Sequence, residues 1–517
     1  MMGAASRTVL ALTAMSAGAA LLSVELTAQA APTRDGEEVA AYVGSHRAQI
    51  VRELVTLLSV PNVASDSINI RKNAELIRVM MERRGIRTRL LETGGPPMVF
   101  GELDVAGASR TILFYCHYDG QPVDPSRWIG HAPFEPVLRA GRLEDAPQIL
   151  EMPAEGGALD PEWRIYGRSA SDDKAPIVAI LTALDALAAA DLRPTWNLKF
   201  LFEGDEEAGS PHLGSVMREH RGLLAADLAV FADGPAHPAG RPTVVLGVRG
   251  IVTVELTVFG PAMPLHSGHY GYWAPNPAER LAELLASMQD DDGRVTIEGW
   301  YDDVTPLEEA ERAALERLPD DEDERRLLGI SESEGGGRSR WEMVTLPSLN
   351  VRGLRSAWVG PEARTIVPER AVASLDFRLV RDVKPQDQVA RFLHHLERRG
   401  YHVVNEEPDP ATRFEYPRLA MVTATQGYPA VRTPIDDPDV GRVIEAVRRA
   451  TGEEPIVIPT LGGSVPGYLF PERLSAVFVN LPTVNPDNNQ HSPNENLRLG
   501  NLFDGVAIYA AVMRMPL

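Results

Sequence analysis

Thr111-Ile112-Leu113-Phe114-Tyr115-Cys116-His117-Tyr118-Asp119 is the stretch on which the reading of the fold turns. A short apolar run, Thr111–Tyr115, has the composition of a buried strand and leads straight into a histidine and a carboxylate. Two further runs end in the same manner. Trp196–Phe202 leads into Glu203-Gly204-Asp205-Glu206-Glu207, and Leu228–Phe231 leads into Asp233. Between the first and second lies Ala175–Ala190, an alanine-rich helix. Strands alternating with helices predict an α/β layer architecture with a mostly parallel sheet. In open sheets of that kind ligands collect beyond the carboxyl ends of the strands. One strand ending in metal-type residues would carry little weight; three carry more.

Outward from this centre, residues 37–60 and 70–85 show helical apolar spacing, the second closing on Arg83-Arg84-Gly85. Pro97–Glu102 is a further β-like run. From about Val245 the pattern changes: Ile251–Phe259 and Ala371–Leu379 alternate as strands, and Pro277–Met288 and Pro385–Arg399 read as helices. This predicts a compact α+β unit inserted into the first domain. Within it Asp320–Arg340 is charged and glycine-rich and reads as a mobile surface loop. From about Val431 helix and strand return, with Ala476–Asn480 a strong strand. The division expected is 1–30, 31–244, 245–420 and 421–517, and no internal repeat is visible.

A chain of 517 residues is too long for one ordinary core. Arg7, the apolar stretch Val9–Leu22 and the small residues Ala28-Gln29-Ala30 read as a secretory signal peptide cleaved near Ala30. The expectation is therefore an exported, periplasmic or secreted protein with no membrane span in its mature part. Removing the leader takes away one basic and one acidic residue, Arg7 and Glu25, and leaves the net charge at −21. Phosphates would repel such a chain, so nucleic acid is not an expected partner. Cys116 is the only cysteine and excludes an intrachain disulfide. Its place next to His117 turns it to the opposite face of the strand, which suits core packing and not a Cys–His pair.

The chemistry-bearing residues each admit a plain structural role. His117 alone is compatible with a core histidine, although Asp119, two residues on, shares its face in extended backbone and can fix its tautomer. Asp172-Asp173-Lys174 precedes the alanine-rich helix and could simply cap it, yet a carboxylate held there can also bridge two cations. Four carboxylates within Glu203–Glu207 would ordinarily be a solvated acidic loop. Placed at a strand end they repel one another unless a cation neutralises them or one holds a proton. Adjacent glutamates can then divide the work, one on metal and one as general base. His491 and His266 lie in polar loops. Gly462-Gly463-Ser464-Val465-Pro466 approaches a serine-hydrolase elbow but ends in proline, which spoils it.

Taken together the chain resembles the di-zinc aminopeptidase, aminoacylase and carboxypeptidase family that includes carnosinase-type dipeptidases and succinyl-diaminopimelate desuccinylase. The likeness rests on Tyr115–Asp119, Gly167–Lys174, Glu203–Ser210, Phe231–Asp233 and His491–Glu495, in the family's order and over nearly the whole mature chain. The resemblance implies a catalytic domain with helices on both faces of its sheet and an inserted ferredoxin-like lid and dimerisation domain. It implies Asp172 as a bridging carboxylate, His117 and Asp233 completing one zinc site, and Glu207 and His491 the other. Glu206 is implied as general base and Asp119 as the orienting partner of His117. His266 is implied to reach a partner subunit's site, and a cis peptide is implied at Asp172–Asp173. Asn350, Arg378, Gly463 and Ser464 match positions that contact substrate.

Thr460 and Leu461 stand where carnosinase-like members carry an arginine and an acid, so a strict dipeptidase preference is not carried over. The function expected is hydrolysis of an amide bond in a small peptide by two zinc ions, with cobalt or manganese able to use the same ligands. Two alternatives are an N-acyl-amino-acid deacylase on the same site and a non-catalytic exported peptide-binding protein.

Overall fold

The computed structural model describes residues 34–146, 148–154 and 157–517. The expected leader, residues 1–30, lies outside the described residues.

The strand Thr111–His117 organises the larger sheet. Because side chains alternate, Ile112, Phe114 and Cys116 enter one core, shared with the helices Arg34–Leu58, Lys174–Ala189 and Leu499–Met513. Leu113 and Tyr115 enter a second core on the opposite face, with Leu213, Met217 and Phe470. The Lys174–Ala189 helix is buried nearly all round, which accounts for its uniformly apolar sequence.

The sheet runs Arg87–Leu91, Met98–Leu103, Asn197–Glu203, Thr111–His117, Leu228–Phe231, Val477–Asn480, Thr243–Val245, Ile456–Ile458. Its centre is parallel: Asn197–Glu203, Thr111–His117, Leu228–Phe231 and Val477–Asn480 all point one way. Antiparallel partners extend it, Met98–Leu103 on one side and Thr243–Val245 on the other, so the sheet is mixed. Register sets the site. His117 pairs with Glu203, Tyr115 with Phe231 and Phe231 with Asn480, which brings the carboxyl ends of four strands level.

A second sheet, ordered Ser348–Arg355, Arg370–Leu379, Gly250–Phe259, Leu419–Ala424, His402–Val404, has its own core. Helices Pro277–Ala286 and Pro385–Arg398 supply Leu281, Leu284, Phe392 and Leu396 to it. The chain enters this unit at Gly250 and leaves past Tyr428, where the two strands cross closely. A Cβ on Gly250 would lie 2.4 Å from the Tyr428 carbonyl oxygen, so only glycine fits.

The segment expected to be a mobile loop, Asp320–Arg340, instead contains the helix Glu322–Leu328. Its charges are paired along the helix, Asp321 with Arg325 and Glu322 with Arg326, and Gly329 closes it in the left-handed region at φ 71°. No described helix is long and apolar enough to cross a membrane.

Candidate metal centre

His117 closes its strand and is almost fully buried. Its Nε2 stands 2.9 Å from Asp172 Oδ1, and its Nδ1 stands 3.3 Å from Asp119 Oδ1. Asp119 does more than face the imidazole. Its two oxygens accept the backbone N–H groups of Glu206 and Glu207 at 3.1 and 3.0 Å, tying the end of one strand to the acidic turn after its neighbour.

Asp172 and Asp173 are joined by a cis peptide just before the Lys174–Ala189 helix. Asp173 occupies the cap position, but its side chain makes no capping bond; Asp173 Oδ2 accepts from the His117 N–H at 3.2 Å. Lys174 is buried and donates Nζ to the carbonyls of Leu57 and Val60. Asp233 lies two residues beyond Phe231, its backbone clamped by Asn480, which donates Nδ2 to the Asp233 carbonyl at 2.9 Å and accepts the Asp233 N–H at 3.3 Å. His491 arrives on a loop in which Asn489, His491 and Asn494 all hold positive φ. Its Nε2 is 3.1 Å from Asp172 Oδ2 and 3.3 Å from Glu207 Oε2.

Two ligand sets result, His117–Asp172–Asp233 and Asp172–Glu207–His491, each with one donor atom per residue and all donors within 4.8 Å of one another. Asp172 belongs to both. The first set is deep, with His117 at 1% side-chain exposure; the second opens outward, with His491 at 54%.

Electrostatics describe a site short of positive charge. Burial, reinforced by Asp233, Glu207 and Asp172, raises Glu206 to about 8. Burial and then Asp172 raise Glu207 to about 7, and burial followed by Asp172 raises Asp233 to about 6. Asp172 is the exception: burial pushes against it, but hydrogen bonds from His117 and His491 hold it well below the carboxylate range. The Asp172 hydrogen bond lifts His491 to about 9, and His117 is raised despite burial by Asp119 and Asp172. Carboxylates crowded in low dielectric favour protonation unless cations sit among them. Imidazole and carboxylate donors at these separations fit two divalent cations of borderline hardness, and Glu206, in neither set, remains as a half-buried base beside them.

Two of the residues expected to contact substrate, Asn350 and Arg378, meet at Asp376. Asn350 Nδ2 donates to Asp376 Oδ1 at 2.9 Å and Arg378 Nε to Asp376 Oδ2 at 3.1 Å. Arg378 NH1 also donates to Ser464 Oγ at 2.7 Å, and the Gly463 carbonyl accepts from Arg249 N–H at 3.1 Å. Tyr428 donates its hydroxyl to the Ser464 carbonyl. Burial and then the Glu206 charge push its phenol up. His266 stands apart from the ligand sets: it is exposed, its Nδ1 accepts from the Gly268 N–H, and its ring lies 4.7 Å from that of His269.

Sequence reasoning passed over several residues that the fold makes central. Glu495, in the quoted segment after His491, is fully buried and binds the Arg168–Asp172 stretch. Gln121 and Gln490 donate to metal-facing carboxylates. Asp205, in the acidic run, pairs with His212 at 2.5 Å, and Glu203 accepts from Tyr115. Only the density of acids in Glu203–Glu207 hinted at the last two; the others have partners too distant in sequence to signal.

Two carboxylate-and-imidazole sets sharing one bridge, with an unligated glutamate beside them at the carboxyl ends of a mainly parallel centre, define a metallohydrolase with a two-cation site. Residues 113–515 match Peptidase family M20/M25/M40, and the chain belongs to that family as a di-metal metallopeptidase. It is 26% identical to the human Beta-Ala-His dipeptidase over 92% of this chain and 91% of that protein. It is 25% identical to the Cys-Gly metallodipeptidase of Schizosaccharomyces pombe over 89% of this chain and 94% of that one. Among solved structures, the M20 family metallo-carboxypeptidase Sso-CP2 from Sulfolobus solfataricus superposes with a TM-score of 0.73 at 30% identity, covering 90% of this chain and 98% of its own.

Proposed function

We propose that this protein hydrolyses the amide bond of dipeptides or other small peptides, with zinc as its metal. The observation that carries the reading is Glu206: half-buried, held by Asp119 through its backbone N–H, raised to about 8 and adjacent to both ligand sets without belonging to either. Relatives named as dipeptidases along most of their length support the substrate class. His117, Asp172 and Asp233 would hold one cation and Asp172, Glu207 and His491 the other, and when bound the pair would supply Lewis acidity toward the water and the scissile carbonyl. Glu206 takes the proton of the attacking water and delivers it to the departing amine. Asp119 faces His117 Nδ1 at 3.3 Å and holds the Glu206–Glu207 backbone through its two oxygens. Asn350, Arg378, Gly463 and Ser464 orient the substrate.

Residues 31–244 and 421–517 form the catalytic domain in this reading, and 245–420 a ferredoxin-like lid through which the chain dimerises. The separate core of the second sheet and its open edge support that assignment. His266 is then the residue lent to a partner's site to polarise the carbonyl. Residues 1–30 are the export signal, and the mature protein works outside the cytoplasm.

Glu206→Gln tests the chemistry. Peptide turnover is expected to fall by about 10²–10⁴ with metal content unchanged. Wild-type turnover would remove Glu206 from the mechanism, and loss of metal together with activity would leave the base role unsupported. A panel of dipeptides against N-acyl amino acids on the metal-loaded protein fixes the substrate class; turnover confined to the acyl amino acids would replace the peptidase reading with the deacylase one.

A further inference from the structure

We infer that Gln121 and Gln490 are positioning residues for the outer of the two cation sites, each fixing one of its carboxylates. The inference rests on the two-metal reading above. Gln121 Nε2 donates to Glu207 Oε2 at 2.7 Å, and Gln490 Nε2 donates to Asp172 Oδ2 at 3.2 Å. These are the same two oxygens that face His491 Nε2. Among the described residues no side-chain amide donates to Asp172 Oδ1 or to the Asp233 carboxylate, the oxygens of the inner set.

The direction of the Gln490 amide follows from its own anchors. The Gln490 backbone N–H donates to Asn488 Oδ1 at 2.8 Å, so Asn488 must present its Nδ2 on the other side. That Nδ2 donates to Gln490 Oε1 at 3.3 Å, and the Gln490 Nε2 is left facing Asp172. Gln121 follows a loop fixed by Asn62, whose carbonyl accepts the Gly120 N–H and whose Nδ2 donates to the Tyr118 carbonyl. A Cβ on Gly120 would lie 2.3 Å from Ser169 Oγ, so the loop has one placement.

The two sites differ in what holds them. In the inner set His117 and Asp172 are buried, and Asn480 clamps the backbone of Asp233. The outer set carries a half-exposed histidine on a loop with left-handed residues, so its carboxylates need another restraint. An amide N–H on one lone pair of a carboxylate oxygen fixes its orientation and leaves the other lone pair for a cation. Loss of such an orienting partner typically lowers metal affinity about 10–100-fold.

The test uses the full chain stripped of metal and titrated with zinc by calorimetry, against Gln121→Ala, Gln490→Ala and Gln490→Met. Wild type is expected to take up two ions. Gln121→Ala should bind one with unchanged affinity and the second about 10–100-fold more weakly, and the Gln490 variants, which act through the shared Asp172, should weaken the second ion by that factor and the first by less. Both glutamines are partly exposed, so the variants should keep the wild-type unfolding temperature. Equal weakening of both ions, or no weakening in any variant, overturns the inference. A wild-type chain that binds fewer than two ions overturns instead the metal reading beneath it.

Discussion

Glu495 holds the bridging carboxylate in place without touching a metal position. One of its oxygens accepts from Ser171 N–H, Ser171 Oγ and Asp172 N–H at 3.0–3.1 Å; the other accepts from Arg168 NH1 at 2.7 Å and Ser169 N–H at 2.9 Å. Glu495→Ala would leave Arg168, itself buried, without its counter-charge, and breaking one partner of a buried pair costs about 3–5 kcal/mol. An unfolding free energy lowered by that amount in denaturant titrations, together with weaker zinc binding as Asp172 loosens, is the expected result; an unchanged unfolding free energy would refute the role. Glu495→Gln keeps the shape and one acceptor and should lose less. Residues of this kind mark the limit of reading a sequence. His117, Asp172, Glu206, Glu207, Asp233 and His491 were legible because residue type coincided with strand ends and with an ordered family pattern. Glu495 meets its partners across more than 320 positions, and the Asp119 grip on Glu206 spans 87. Nothing local announces either.

At the scale of elements, the sheet centre was legible because its strands are largely apolar runs, as strands buried on both faces are, with Asn197 and Lys199 the polar exceptions at the start of one of them. Arg87–Leu91, Thr243–Val245 and Ile456–Ile458 were not read, being short or half-exposed with weak alternation. Two of the end strands of these sheets are treated differently. Ile456–Ile458, the last strand of the large sheet, is covered by the helix Glu309–Glu316 and by Trp341, which pack Leu315 and the indole against Ile456 and Ile458. A buried pair between Arg432 and Glu311 at 3.1 Å pins that cover. Ser348–Arg355, the outer strand of the second sheet, pairs with no strand on its far side among the described residues and exposes Val351 and Leu354. An open, partly apolar edge is a template for pairing with another chain. If it joins two copies, Leu354→Glu should convert the protein to a monomer in sedimentation while the unfolding temperature of the isolated subunit holds. On the proposed role of His266 in a partner's site, activity should fall with metal retained. A dimer that survives both Leu354→Glu and Val351→Lys would exclude this edge as the interface.

For the whole molecule, metal and pH are coupled through the ligand sets. Glu206, Glu207 and Asp233 have folded values near 8, 7 and 6, above those of the unfolded chain. A raised group contributes stability that is complete below its unfolded value and is lost as pH rises through its folded one. His117 and His491, also raised, act in the same direction, the second through about 9. Asp172 opposes them: depressed, it contributes above the ordinary carboxylate range and is lost only in strong acid. The metal-stripped protein should therefore lose stability steadily from mild acid to about pH 9. Cations reverse the sign of that demand, since they bind the deprotonated carboxylates and neutral imidazoles and release protons as they enter. The difference in unfolding temperature between zinc-loaded and stripped protein should consequently widen as pH rises from about 5 to about 9. Calorimetric zinc titrations in buffers of different ionisation enthalpy should register proton release at the lower end of that range. Parallel unfolding curves for the two forms across the range would mean that these acids are neutralised by something other than a bound cation, and the electrostatic case for the metal centre would fall with them.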